Sequence, residues 1–457
     1  MTILSGWDDT IVALATPHGT GAIGVVRLSG PSALQITHKM FKGKNPEQQP
    51  GNTVHYGHMY QQQEWIDEVL ITIFRKPASY TGEDVVEISG HGSPYIIGRI
   101  IEACIEAGAR LAKPGEFTQR AFLNGKMDLA QAEAVADLIA ANSKAAQQTA
   151  LQQLRGGYAK DLQWLRDELI QFAALIELEL DFSEEDVEFA DRKQLWNLVS
   201  KLLQKVRSLI SSFALGNAIK EGVRVAIIGK PNAGKSTLLN ALLNEERAIV
   251  SDIAGTTRDT IEETLNIEGV LFRLIDTAGI REHSTDIIEK KGIERSKDNA
   301  EQADIILYLI DLLNEEDDTN AFTDWLGAFK EKTIRVYNKY HAWQQVSGVQ
   351  EVHDRLYIDA KDGYGIDTLK QRIFEKVVGE KIQAEASIVT NARHLESLKR
   401  IEESLSVVQL GLEKKITGDL LTIDIRRALH YLGEITGRVE IDRDILGTIF
   451  GKFCIGK

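Results

Sequence analysis

The sequence predicts a multidomain protein that combines an α+β N-terminal domain, an all-α helical bundle domain and an inserted α/β P-loop domain with a doubly wound sheet. The chain has 457 residues, which is enough for about two to four domains with their own cores. Seven of its eight prolines lie at or before Pro114 and the last is Pro231, so ring geometry breaks no helix between them. Short apolar segments alternate with helical patterns over residues 222–378.

Residues 1–122 form the predicted N-terminal domain. The segments IGVVRLSG and WIDEVLITIF are typical of strands, and VHYGHMY alternates apolar and polar residues with the period of a strand. SPYIIGRIIEACIEAG is typical of a helix that ends at Gly108. Short mixed elements separated by glycine and proline indicate a compact α+β domain.

Long helices are predicted in residues 123–217 and again in residues 380–457, which include NARHLESLKRIEESLSVVQLGLE. Two apolar stripes with spacings of three and four residues predict the core of a helical bundle. The acidic stretch DFSEEDVEFADR between them predicts a turn. The stripe residues are Leu162, Leu165, Leu169, Phe172 and Ile176, then Leu195, Leu198, Leu202, Val206 and Leu209.

Residues 218–379 form the predicted α/β domain. Its five short apolar strands are VRVAIIG, LFRLIDTAG, IILYLID, TIRVYNK and RLYIDA. A loop or a helical pattern follows each of them, which is typical of a doubly wound parallel sheet. Because helical sequence flanks this domain on both sides, we expect it to be inserted into the helical domain.

The composition limits the compartment and the partners. The net charge of −14 argues against a general nucleic-acid coat protein, although a local basic patch stays compatible with it. With only two cysteines, Cys104 and Cys454, a disulfide framework is not expected and a reducing cytoplasm fits. The first residues do not resemble a secretory signal, and no apolar run approaches the roughly 20 residues of a membrane span.

The segment GKPNAGKS at residues 229–236 follows a predicted strand and opens a predicted helix. Gly229, Gly234, Lys235 and Ser236 fit the G-x-x-x-x-G-K-[ST] pattern, in which backbone N–H groups and the helix N-terminus hold phosphates. Lys235 is placed to reach the β- and γ-phosphates, and Ser236 to hold Mg²⁺.

Two further segments extend the phosphate side of the site. DIAGTTRD at residues 252–259 supplies Thr257 as a second Mg²⁺ ligand, and DTAG at residues 276–279 supplies Asp276 for the Mg²⁺ shell and the N–H of Gly279 for the γ-phosphate. These segments predict a P-loop NTPase of the GTPase type. Ile280 stands where Ras-like enzymes carry the glutamine that orients water, so another group is required. The next loop offers Glu282, Asp286 and Glu289.

Segments in all three parts of the chain resemble the MnmE (TrmE) family of tRNA-modifying GTPases. They are DTIVALATPHGTGAIGVVRLSG, YTGEDVVEISGHG, KPGEFTQRAFLNGKMDLAQAEAVADLI, GKPNAGKSTLLN, DIAGTTRD, DTAGIRE and GKFCIGK. The resemblance implies a folate-binding, dimerising N-terminal domain, a helical domain and an inserted G domain. It also implies that the protein works on tRNA as a homodimer with the flavin-dependent partner MnmG, in a heterotetramer or larger complex. This complex adds a carboxymethylaminomethyl or aminomethyl group at C5 of the wobble uridine of certain tRNAs.

The resemblance also implies roles for single residues. Arg27, Glu87 and Lys126 match folate-contacting residues, with 5-formyl- or methylene-tetrahydrofolate as the one-carbon carrier. A K⁺ ion near the phosphates is expected, and Glu289 matches the glutamate that positions water. Lys235 and Arg258 complete the expected catalytic set. The K⁺ ligands would be Asn232, Ser251, Ile253 and Thr256. The nucleotide contacts would be Asn232, Ala233, Gly234, Lys235, Ser236, Thr237, Ser251, Asp252, Ile253, Ala254, Gly255, Thr256, Thr257, Asp276, Thr277, Ala278, Gly279, Asn338 and Lys339.

Cys454 in the segment CIGK allows two interpretations. The resemblance implies that it faces the tRNA-modification centre in the helical domain, near the folate. A packed thiol at a helix end is an equally good interpretation of the residue itself.

The segment RVYNKYHAW departs from the base-reading pattern N-K-x-D, because His341 stands where the aspartate that reads guanine is expected. A neutral histidine accepts at most one hydrogen bond, so it does not mimic a carboxylate. The second base loop, IDAKDG, has Asp359 where serine is common, but Ala360 and Lys361 can still offer a backbone N–H to guanine O6. Three outcomes stay open: weaker guanine binding, a carboxylate from Asp354 or Asp359, or a relaxed choice of purine.

Two other functions compete with tRNA modification. One is a GTP-switched RNA or ribosome assembly factor without modification chemistry. Against it, the helical segment 380–457 shows no Gly-x-x-Gly loop between strands of the kind an RNA-binding KH module carries. The other is a folate-binding dimer whose nucleotide site has decayed, which the altered base loop favours and the intact GKPNAGKS and DTAG segments oppose.

Overall fold

The computed structural model describes residues 8–181, 192–245, 263–275, 289–314, 323–347, 354–378, 388–414 and 416–437. The chain forms two compact units, Met1–Ala136 with Leu432–Lys457, and Asp137–Tyr431. In the described part of the chain, no helix has the length and apolar character that crossing a membrane requires.

The first unit contains a seven-stranded sheet in the order β3-β4-β5-β6-β2-β1-β7. Neighbouring strands are antiparallel except β1 and β7, which run parallel. The strands are β1 (Ile11–Leu14), β2 (Ile23–Ser29), β3 (Phe41–Lys42), β4 (Thr53–Gln61), β5 (Glu64–Phe74), β6 (Val85–His91) and β7 (Arg110–Leu111).

Helices α1 (Ala33–Met40) and α2 (Pro94–Glu106) cover one face of this sheet. Helix α3 (Glu116–Leu123) lies on the other face, where Phe117 packs against Ile11 and Ala13 of β1. Ile36 of α1 and Ile100 of α2 belong to the same buried cluster as Val26, Ile71 and Ile88 of the strands. Alternate strand residues enter this core because successive side chains of a strand point to opposite faces. The prediction of an α+β domain is confirmed.

The long helices of the second unit are amphipathic, as their apolar stripes predict. Leu162, Leu165, Leu169 and Phe172 are fully buried, as is Leu202 on the next helix. Leu198 is only half-buried and its neighbour Val199 is buried instead, whereas the side chain of Ile176 and residues 182–191 lie outside the description. These helices of the second unit are α5 (Lys144–Leu154), α6 (Ala159–Asp181) and α7 (Arg192–Glu221), and they follow α4 (Leu129–Ala140), whose residues up to Ala136 belong to the first unit.

The nucleotide domain is built on a six-stranded sheet in the order β13-β12-β11-β8-β10-β9. The strands are β8 (Val223–Gly229), β9 (Glu263–Ile267), β10 (Val270–Leu274), β11 (Ile305–Asp311), β12 (Thr333–Asn338) and β13 (Leu356–Tyr357). All pairs are parallel except β9 with β10, which is antiparallel. The five predicted strands are present, but β9 was not predicted. It forms a hairpin with β10 through Glu268 and Gly269, which both have positive φ.

Helices lie on both faces of this sheet, as a doubly wound fold requires. One buried cluster joins α8 and α12 to odd-numbered residues of β8 such as Val225, and the other joins α9 and α11 to even-numbered residues such as Ala226. The helices are α8 (Lys235–Glu245), α9 (Glu289–Gln302), α10 (Thr323–Leu326), α11 (Tyr340–Ser347) and α12 (Ile366–Val378). The chain then continues into α13 (Ala392–Glu413) and α14 (Gly418–Thr436).

Candidate nucleotide site

The phosphate-binding loop lies between β8, which ends at Gly229, and α8, which begins at Lys235. Asn232 has φ +66° and Gly234 has φ +98°, so the chain turns through the left-handed region twice. A Cβ atom on Gly234 would lie 2.3 Å from Nδ2 of Asn338. The glycine is therefore required by both the backbone conformation and the close approach of the neighbouring loop.

Lys235 folds back over this loop. Its Nζ donates to the carbonyl oxygens of Gly229 at 2.7 Å and of Lys230 at 2.8 Å. Burial lowers the pKa of Lys235 below the ordinary lysine value, because desolvation disfavours the charged form. Ser236 and Thr237 follow in the first turn of α8, where N–H groups without helical partners favour an anion.

Asn338 joins the phosphate loop to both base loops. This residue ends β12 and is 3% exposed. Its Nδ2 donates to the carbonyl oxygen of Ala233 at 2.8 Å, and its Oδ1 accepts the N–H of Ala360 at 3.0 Å. The amide thus satisfies one buried group on each side of itself, which makes its orientation well determined.

Lys339 is held by an ion pair with the end of β11. It has φ +66°, and its Nζ lies 2.7 Å from Oδ2 of Asp311. Burial acts to raise the pKa of Asp311, but hydrogen bonds from Lys339, Asn314 and the N–H of Leu313 outweigh it and hold that pKa below its ordinary value. The lysine stem is therefore fixed at the edge where a base would stack.

His341 lies in the first turn of α11. Its backbone N–H donates to Oδ2 of Asp359 at 3.2 Å, and its Nδ1 lies 3.2 Å from Oδ2 of Asp362. Its ring centroid is 5.2 Å from that of Tyr364. The ring is thus engaged by the turn after β13.

The second base loop begins at Asp359, which is 7% exposed. Its N–H donates to the carbonyl oxygen of Tyr364, and its own carbonyl oxygen accepts the N–H groups of Asp362 and Gly363. The N–H of Ala360 donates to Asn338, and the N–H of Lys361 donates to Oδ1 of Asp359 at 3.2 Å. Both N–H groups expected at guanine O6 therefore have acceptors within the protein.

Many of the predicted phosphate-side residues lie outside the described residues. Glu289 is the first residue of α9, and its side chain is not described. The others outside the description are Ser251, Asp252, Ile253, Ala254, Gly255, Thr256, Thr257, Arg258, Asp276, Thr277, Ala278, Gly279 and Cys454.

Arg27 and Glu87, two of the predicted folate residues, form a cross-strand pair on β2 and β6. The Nε and Nη2 atoms of Arg27 donate to Oε1 of Glu87 at 2.9 and 2.7 Å. The Arg27 guanidinium also lies 5.6 Å from the ring centre of Tyr80 and 5.7 Å from that of Phe117. Lys126 is anchored separately, because its Nζ donates to the carbonyl oxygen of Pro77 at 3.0 Å.

A buried ionic network in the same unit was not predicted from the sequence. Arg120 is 1% exposed, and its Nη2 lies 2.7 Å from Oδ1 of Asp9 and 3.2 Å from Oε1 of Glu116. Its Nη1 lies 3.2 Å from Oε1 of Glu83. Glu116 and Arg120 have the i,i+4 spacing of a helical ion pair, which is a signal in the sequence. Asp9 and Glu83 come from distant segments and carry no such signal.

Two family models match the chain. The model described as the MnmE helical domain matches residues 129–454, and the model of the GTP-binding protein TrmE N-terminus matches residues 10–126. A tRNA modification GTPase MnmE of Cytophaga hutchinsonii is 51% identical over 100% of this chain and 99% of its own length. The chain belongs to the MnmE family of tRNA modification GTPases.

Other MnmE relatives agree with this assignment. The MnmE of Christiangramia forsetii is 49% identical over 98% of this chain and 99% of its own length, and that of Bacteroides fragilis is 48% identical over 98% and 100%. The protein is therefore a GTP hydrolase that acts in tRNA modification. The solved G domain of the T. maritima FeoB iron transporter is 26% identical over 34% of this chain and 98% of its own, with a TM-score of 0.25, which is too low for a structural comparison.

Proposed function

We propose that the protein is a K⁺-dependent GTPase that works with the flavin-dependent partner MnmG on the wobble uridine of certain tRNAs. The product is a carboxymethylaminomethyl or aminomethyl group at C5 of that uridine. The one-carbon unit comes from 5-formyl- or methylene-tetrahydrofolate bound in the N-terminal domain. This proposal refines the tRNA modification GTPase activity of the family and assigns its chemistry to residues of this chain.

The observation that carries the folate assignment is the pair of Arg27 and Glu87, in which the Arg27 guanidinium also contacts the rings of Tyr80 and Phe117. The side chains of Arg27 and Glu87 keep 16% and 26% of their surface exposed, so a ligand can still reach them. A pterin presents N–H and amino donors along one edge, which suits a carboxylate, and a flat ring, which suits the neighbouring, half-buried Tyr80. Lys126 supplies a cation for the carboxylates of the glutamate tail. These residues fit a folate.

The phosphate side fits GTP with Mg²⁺. Lys235 would contact the β- and γ-phosphates, Ser236 and Thr257 would hold Mg²⁺, and Asp276 would support its hydration shell. A bound K⁺ would add positive charge beside the phosphates, and Asn232, Ser251, Ile253 and Thr256 would hold it. Glu289 would position the attacking water and Arg258 would support the same loop. Cys454 would face the modification centre.

An apolar surface on the N-terminal sheet supports the proposal of a homodimer. Val54 and Tyr56 of β4 and Trp65 and Leu70 of β5 are 59%, 60%, 57% and 46% exposed. Tyr56 and Leu70 are directly opposite each other in the strand register. A cluster of large exposed apolar side chains on adjacent strands is typical of an interface. A second copy of the chain is its proposed occupant.

The folate assignment is tested with purified Arg27→Ala protein. We expect it to lose tetrahydrofolate binding, measured by calorimetry, and to yield no modified uridine with MnmG and tRNA, while GTP turnover is kept. Arg99→Ala is the matched control, because Arg99 forms an ion pair with Glu64 elsewhere in the same unit. Folate binding by Arg27→Ala equal to that of the control would contradict the assignment. GTP binding with no modified uridine from the wild type would favour an assembly factor.

A further inference from the structure

The edge of guanine that distinguishes it from adenine carries two donors, the N1–H and the exocyclic amine. An ionised carboxylate accepts both, because it has two oxygens and no hydrogen to donate. His341 occupies the position where this carboxylate is expected. Its Nδ1 lies 3.2 Å from Asp362 and its ring lies beside Tyr364, so the side chain is already engaged by the turn after β13.

The sheet topology distinguishes the two carboxylates that could read guanine in place of a residue at position 341, Asp354 and Asp359. Asp354 is exposed and precedes β13, whereas Asp359 follows it. Because β12 and β13 are parallel, Asp359 lies at the same edge of the sheet as Asn338, and Asp354 lies at the opposite edge. The phosphate loop follows β8, which is parallel to the same strands, so it too is on the Asp359 side.

Hydrogen bonds fix the position of the Asp359 loop relative to the phosphate loop. Its neighbour Ala360 donates to Asn338, and Asn338 donates in turn to Ala233 of the phosphate loop. The side chain of Asp359 is only 10% exposed, so its carboxylate is partly desolvated. Hydrogen bonds that involve an ionised group are stronger than neutral ones and shorter.

The carboxylate of Asp359 retains the capacity to bind a base. Its Oδ2 accepts the N–H of His341, and its Oδ1 accepts the N–H of Lys361. Each carboxylate oxygen has two lone pairs, so each of these oxygens accepts one further hydrogen bond. Two backbone N–H groups thus orient the carboxylate at the N-terminus of α11, and Nδ1 of His341 lies 3.7 Å from Oδ2, beyond the length of a hydrogen bond.

We propose that Asp359 is the residue that reads the N1–H and exocyclic amine of guanine, in place of a carboxylate at position 341. This inference rests on the proposed binding of GTP at the phosphate loop. His341 then has a positioning role, because its backbone N–H orients the Asp359 carboxylate. The guanine-reading group has moved from the loop after β12 to the loop after β13.

The experiment compares the binding of GDP and xanthosine diphosphate (XDP) to the wild type and to Asp359→Asn by calorimetry. Xanthine replaces the exocyclic amine with a carbonyl, so it suits a residue with one acceptor and one donor. We expect Asp359→Asn to bind GDP at least ~30-fold more weakly and to prefer XDP. The asparagine oxygen still accepts a backbone N–H at α11, so the fold is expected to persist, and circular dichroism checks this.

Asp362→Asn is the matched control, since it removes the same charge from an exposed residue of the same turn. We expect it to keep the wild-type preference for GDP over XDP. Asp359→Asn with an unchanged preference would overturn the inference and leave Asp359 as a helix cap only. If the wild type bound neither nucleotide, the proposed GTP site itself would fail, which separates the two failures.

Discussion

The phosphate side and the base side of the nucleotide site recognise their parts of the nucleotide with different groups. On the phosphate side, the turn at Gly234 and the N-terminus of α8 present the backbone, and one side chain, Lys235, adds charge. On the base side, the described contacts run through the side chains of Asn338, Lys339 and Asp359. Backbone recognition depends on conformation and leaves a fixed pattern in the sequence. Side-chain recognition can move between adjacent loops, because only the position of the functional group matters.

The largest effect is expected from a substitution that disrupts the phosphate side alone. Lys235→Ala removes the cation at the β- and γ-phosphates, and we expect GTP turnover to fall by about 10²–10³-fold. The preference for GDP over XDP is expected to persist, because the base side is unchanged. Steady-state phosphate release measures turnover, with the exposed Lys297→Ala of α9 as control. Turnover within ~3-fold of the control would contradict the assigned role.

The next largest effect is expected from a substitution that disrupts both sides. Asn338→Ala removes the bonds to Ala233 and Ala360 and leaves two buried backbone groups without partners, so we expect the protein to lose about 2–4 kcal/mol of stability. Affinity for GDP and for pyrophosphate should both decrease. Urea unfolding and calorimetry measure these changes against Asn240→Ala, an exposed substitution on α8. A loss of GDP affinity with unaltered pyrophosphate affinity would place Asn338 on the base side only.

A pH dependence distinguishes the two sides further. Burial lowers the pKa of Lys235 in the unliganded protein, whereas bound phosphate would favour the protonated amine. The affinity for GDP should therefore be highest at pH values below the pKa of Lys235 in the unliganded protein. Above that pKa it should fall by up to about tenfold per pH unit. The stability of the unliganded protein depends on pH in the opposite direction. Because the unfolded chain keeps the lysine protonated for longer, stability rises as pH increases through the folded pKa.

Calorimetry of GDP binding at increasing alkaline pH, repeated with Lys235→Arg, measures this linkage. Arginine stays protonated throughout, so its affinity curve should be flat in the same range. Parallel decreases in both proteins would assign the titration to another group.

The smallest effect is expected from a substitution that tests which group on the base side reads guanine. His341→Ala keeps the backbone N–H that orients Asp359 and removes only the ring. We therefore expect the ratio of GDP to XDP affinity to stay within ~3-fold of wild type. Calorimetry with both nucleotides decides it. A loss of guanine preference in His341→Ala would mean that the imidazole itself reads the base.

Local patterns in the sequence predicted the parts of this protein that depend on local chemistry. Apolar segments predicted β2 and β5 of the N-terminal sheet, and alternation predicted β4. Three-and-four spacing predicted the buried Leu162 and Leu169, and the P-loop pattern predicted the turn at Gly234. The antiparallel β9 was missed because a short edge strand has little periodicity. Contacts between distant segments were also missed, such as Arg120 with Asp9 and Asn338 with Ala233. Their partners are fixed by topology, which a single segment does not encode.

The most direct test of this account is the turnover of GTP against ATP by the purified wild type, in K⁺ and in Na⁺. We predict faster hydrolysis in K⁺ and a preference for GTP of at least ~10-fold, because Asp359 accepts from guanine but meets no matching donor pair on adenine. Equal turnover of GTP and ATP in K⁺ would contradict the central claim, since the phosphate side would then work without a base side that reads guanine.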